Sequence, residues 1–74
     1  MYFQLKDCAV IYRHGDNAVI KQKNGRAVYV YEAAEGLEKG RIYDITVSRL
    51  KRYYGNLEIT EIESAEKTGI VKEP

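Results

Sequence analysis

Seventy-four residues, 45% hydrophobic and 31% charged with a net charge of +1, describe one small folded domain. That balance is too apolar for a disordered segment and too charged for a membrane-embedded one, and no apolar run in it approaches the length of a transmembrane helix or a signal-peptide core. The single cysteine, Cys8, excludes an internal disulfide, and one Cys with one His excludes a four-ligand Cys/His zinc site.

Apolar residues recur with a period of two, which predicts strands. In the first strand Leu5, Asp7, Ala9, Ile11 and Arg13 are expected on one face and Lys6, Cys8, Val10 and Tyr12 on the other. Apolar residues on both faces fit a barrel strand whose outside is partly covered. Cys8 reads as a small packed side chain, with no neighbouring base in the sequence to activate it. His14-Gly15-Asp16-Asn17 breaks the pattern as a turn, with His14 in solvent. A second strand runs from Asn17 to Gln22. Asn24-Gly25 predicts a hairpin with a type I′ turn, because both residues tolerate positive φ. The third strand, Arg26 to Tyr31, sends Val28 and Val30 to one side and Tyr29 and Tyr31 to the other.

Residues 32–40 are not strand-like. Ala33, Ala34, Glu35, Leu37 and Glu38 allow at most one helical turn, which Gly36 interrupts. A fourth strand extends from Arg41 to about Leu50, and Tyr54-Gly55-Asn56 forms a second turn. The last strand covers Leu57 to Ile62, with Leu57 and Ile59 on one face. The remainder is polar and acidic apart from Ile70-Val71, as a strand continuation or a tail. The expected domain is residues 1–63, with 64–74 an acidic extension or linker. Five short strands with the longest connection between the third and fourth predict an all-β fold, a five-stranded OB-like Greek-key barrel with little or no helix. An SH3-like barrel is the competing architecture.

The sequence holds no Gly-rich phosphate loop, no HExxH, no Cys-His pair at ligand spacing and no short motif of paired carboxylates. The expectation is a binding module that is not an enzyme and has no cofactor and no metal site. Charge is unevenly spread. Residues 1–31 carry five cations against two anions, residues 41–54 carry four against one, and the connector and tail are acidic. Seven of the eight aromatics are Tyr, which combines a flat apolar ring with a polar tip. In an OB barrel the ligand crosses the second and third strands between the loops after the first and fourth. Those parts hold Arg13, His14, Lys21, Lys23, Arg26, Tyr29, Tyr31, Lys51, Arg52, Tyr53 and Tyr54. Cations that neutralise phosphates beside rings that stack on bases point to single-stranded DNA or RNA. All of these except His14 form the predicted binding surface.

Several segments together carry a resemblance. They are Asp7-Cys8-Ala9-Val10-Ile11-Tyr12 with Gly15 after them, Asn24-Gly25 before Ala27-Val28-Tyr29-Val30-Tyr31, Gly36-Leu37-Glu38-Lys39-Gly40, and Tyr53-Tyr54-Gly55-Asn56-Leu57-Glu58-Ile59. The chain resembles OB-fold modules of bacterial, often exported, multidomain proteins, some of them nuclease-associated. Relatives often carry Gly near the end of the fourth strand, where this chain has Ser48-Arg49. The resemblance implies nucleic-acid binding and an exported or cell-envelope location. The alternative reading is an interaction or spacer module that contacts a neighbouring domain, a protein or a glycan, in keeping with the near-zero net charge and acidic tail.

Overall fold

A computed structural model describes residues 2–71. It contains five strands: β1 (Phe3–His14), β2 (Asn17–Lys21), β3 (Ala27–Val30), β4 (Arg41–Tyr53) and β5 (Asn56–Ile70). They close into one barrel in the order β1-β2-β3-β5-β4. All neighbours are antiparallel except β3 and β5, which pair in parallel through Tyr29 with Glu58 and Val30 with Ile59. This is the five-stranded OB-like barrel that the sequence predicts. Among the described residues there is no helix, and so none long and apolar enough to cross a membrane.

The barrel interior is filled by Cys8, Val10, Ala18, Ile20, Val30, Tyr43, Ile45, Val47 and Ile59, with Leu5, Val28 and Ile62 packed against them. The strict alternation expected for β1 does not hold. Register shifts between Leu5 and Cys8 and between Val10 and Tyr12 each insert an extra residue. Leu5, Cys8, Val10 and Arg13 therefore face inward, and Ala9, Ile11 and Tyr12 outward. At the first bulge Asp7 takes a φ of 54°, and its N–H donates to Asp44 Oδ1 at 3.0 Å. Aspartate is among the few residues that adopt this conformation readily. Further register shifts flank Ser48 on β4, and Ser48 Oγ donates to Glu61 Oε1 at 2.7 Å across the ladder. These bulges fall at Ser48-Arg49, near the expected end of the fourth strand.

The type I′ turn expected at Asn24-Gly25 is found at the other hairpin instead. Gln22 to Gly25 is closed by Gly25 N–H donating to the Gln22 carbonyl at 3.1 Å, and neither Asn24 nor Gly25 has positive φ. The predicted hairpin is present, but its five-residue loop between Lys21 and Ala27 is not a type I′ turn. The type I′ geometry belongs to Tyr54-Gly55, with φ of 49° and 82° between the paired Tyr53 and Asn56.

Residues 31–40 contain turns and no helical turn. They nevertheless do the work of a core element, burying Ala34 and Leu37 completely at the barrel end. Backbone bonds tie the segment on several sides: Ala34 N–H to the Asp16 carbonyl, Leu37 N–H to the Ala34 carbonyl and Gly40 N–H to the Val10 carbonyl. Glu32 N–H donates to Asn17 Oδ1 and Glu38 N–H to Tyr43 Oη. Arg13 Nη1 donates to the Leu37 carbonyl at 2.6 Å, and the side chain also lies 4.0 Å from Asp16. β4 and β5 continue past the expected ends. The strand reaches Ile70, paired with Arg41, so residues 64–70 extend the barrel wall rather than leave it. Residues 72–74 of the expected tail lie outside the described part.

Leu37→Ala removes the largest side chain of the plug, and we expect a loss of about 2–5 kcal/mol, measured by urea unfolding. Cys8 supplies a pH test. Its burial, reinforced by Asp44 and Asp7, raises the thiol from 9.0 to about 11. Between these values the folded chain keeps a proton that the unfolded chain releases. This contribution is fully present below pH 9 and fades as pH rises toward 11. The midpoint of thermal unfolding should fall more steeply across that window in the native chain than in Cys8→Ala.

Candidate nucleic-acid interface

Residues paired across a sheet point to the same face, and neighbours along a strand to opposite faces. Ala18, Val30 and Ile59 are paired across β2, β3 and β5 and are buried. The adjacent row must therefore face outward. It runs Tyr12, Val19, Tyr29, Glu58, Lys51 across all five strands. Tyr31 emerges on the same side of β3 as Tyr29, with ring centroids 6.4 Å apart and planes 36° apart.

Beside this row the end of the β4–β5 hairpin supplies a second aromatic pair. Tyr53 and Tyr54 make an edge-on contact with centroids 4.5 Å apart. The Lys51 ammonium lies 5.6 Å from the Tyr53 ring centroid, within cation–π range. Tyr29, Tyr31, Lys51, Tyr53 and Glu58 line one groove. An adjoining recess is lined by Arg26, Tyr29, Arg52, Asn56, Leu57 and Glu58, so Tyr29 and Glu58 form the wall between them. The negative charge of Glu32, its hydrogen bonding and, more weakly, Glu58 raise the Tyr31 phenol above its ordinary value.

Of the ten predicted binding residues, this surface brings together Arg26, Tyr29, Tyr31, Lys51, Arg52 and Tyr53, with Tyr54 attached through Tyr53. Arg13 is not among them. The second β1 bulge turns it inward, where it serves the Leu37 carbonyl. Lys21 and Lys23 border a different groove with Ala9, Ile11, Ile42 and Val71. The residues that the sequence reading missed are Tyr12, Leu57 and Glu58. Tyr12 was hidden by the bulge, which no local pattern announces. Glu58 was passed over because an acidic side chain does not fit a phosphate-binding composition.

Comparison with protein-family models, curated proteins and solved structures finds no match to this chain.

Tyr54 is 87% exposed and holds a left-handed backbone that bulky side chains avoid. Tyr54→Gly should raise stability by about 1 kcal/mol, the typical cost of this conformation for an L-residue. Urea denaturation of the two chains measures it.

Proposed function

We propose that this protein is a non-catalytic OB-like module that binds single-stranded nucleic acid. Bases stack on Tyr29, Tyr31 and Tyr53, while Arg26, Lys51 and Arg52 meet the phosphates. The observation that carries this reading is the groove in which Tyr29 of β3, Tyr31 just past its end and Tyr53 of the β4–β5 hairpin flank Lys51. Single strands require this combination, since every base offers a π-face and every linkage a charge. A double helix buries its base faces and leaves such rings nothing to stack on.

The sheet chemistry is consistent with an extended strand crossing the row. The rings of Tyr29 on β3 and Tyr31 just past its end are spaced for two successive unstacked bases. The exposed Tyr54 ring and the cations beside it stand at one end of that path. The alternative, a module for a protein or glycan, shares the aromatic surface but has no need of the clustered cations.

The test is titration of labelled thymidine and uridine oligomers, with duplex DNA and neutral oligosaccharides in parallel. Single strands should bind, and log affinity should fall linearly with log salt concentration, by roughly 0.7 for each phosphate neutralised. Tyr29→Ala should weaken binding by about 1–3 kcal/mol, the value of one stacked base, with unfolding curves showing that the fold remains. Oligosaccharide binding without oligonucleotide binding would transfer the module to the alternative class.

A further inference from the structure

We infer that Glu58 makes this surface selective for guanine, an inference that rests on the nucleic-acid reading above. Glu58 is half-buried in the outward row, between Tyr29 on β3 and Lys51 on β4. Glu58 lines both the groove and the recess. Among the described residues it takes part in neither ion pair and in no side-chain hydrogen bond. Lys51 stands directly opposite in the ladder and is the natural partner, yet its ammonium lies over the Tyr53 ring instead.

An unpaired carboxylate at this place opposes phosphate binding, so its chemistry must be matched to something other than the backbone of the strand. A carboxylate only accepts hydrogen bonds, and its two oxygens can accept two in parallel. Among the bases, only guanine presents two adjacent donors on its Watson–Crick edge, N1–H and the N2 amine. In adenine and cytosine the amine stands next to a ring nitrogen acceptor. In uracil and thymine the single N–H lies between two carbonyl oxygens that repel a carboxylate. Unstacked bases in single strands are read along this edge. Glu58 is the residue paired with Tyr29 on the neighbouring strand, so a guanine stacked on Tyr29 can turn that edge toward it. Arg26 and Arg52 line the same recess, and a guanidinium fork suits the O6 and N7 acceptors on the adjoining edge of the same base.

The experiment compares thymidine oligomers that carry one central guanosine, inosine, adenosine or cytidine with the all-thymidine oligomer, by fluorescence anisotropy. The guanosine oligomer should bind roughly tenfold tighter than the all-thymidine one. Inosine, which lacks the N2 amine, should lose most of that gain. In Glu58→Gln the two affinities should move in opposite directions: guanosine weaker, because one acceptor has become a donor, and thymidine tighter, because a negative charge has left the surface. Equal binding of all oligomers, or a guanosine preference that Glu58→Gln leaves intact, would overturn the guanine inference while the nucleic-acid reading stands. Failure of every oligomer to bind the native chain would remove both.

Discussion

The barrel closes through very little backbone. β3 meets β5 over two residue pairs, Tyr29 with Glu58 and Val30 with Ile59, extended by Tyr31 N–H donating to the Ile59 carbonyl at 2.8 Å. Because side chains alternate, this one contact decides two things at once. It sends Val30 and Ile59 into the core, and it sets Tyr29 and Glu58 side by side on the surface. The hydrophobic centre and the proposed groove are opposite faces of the same ladder. Slippage by one residue would exchange them, exposing the aliphatic pair and burying a carboxylate.

A domain of this size hides only about 60% of its unfolded surface, which gives the irregular connector an importance out of proportion to its length. Ala34 and Leu37 close the barrel end without regular structure, so their backbone groups need partners from elsewhere. Those partners come from the β1–β2 turn, from β1 and from the Arg13 guanidinium. Among the described residues Arg13 Nε is buried without a hydrogen-bond partner, while Nη1 donates to the Leu37 carbonyl. An arginine that its place in an OB-like strand order assigns to a ligand surface is thus spent on holding the connector. In the β4–β5 turn Tyr54 holds a left-handed backbone at an exposed position, and its ring packs edge-on against Tyr53.

Strand number, strand order along the chain, and the division of Val28 and Val30 from Tyr29 and Tyr31 were legible because period-two patterning is local. The lesson of β1 is different. Leu5 and Cys8 have opposite parity, yet both are buried or packed on the core, since a bulge is fixed by pairing with β2 and β4 and leaves no mark in hydropathy. Turn chemistry misled in a related way. Asn24-Gly25 has the better propensity for type I′, but its flanking pairing leaves a five-residue loop. Tyr54-Gly55 is forced into the tight turn because Tyr53 and Asn56 are directly paired. The connector showed its lack of strand character but not its buried Ala34 and Leu37, whose partners are distant in sequence.

From sequence alone came an all-β domain of five strands, its long third connection and a surface rich in tyrosine and cations. These follow from alternation, composition and turn residues, all of which act over a few positions. Tertiary structure decided which aromatics and charges share a groove, that Arg13, Lys21 and Lys23 do not, and that Glu58 does. Those outcomes depend on register between strands up to dozens of residues apart, and register is set by the closing of the barrel as a whole.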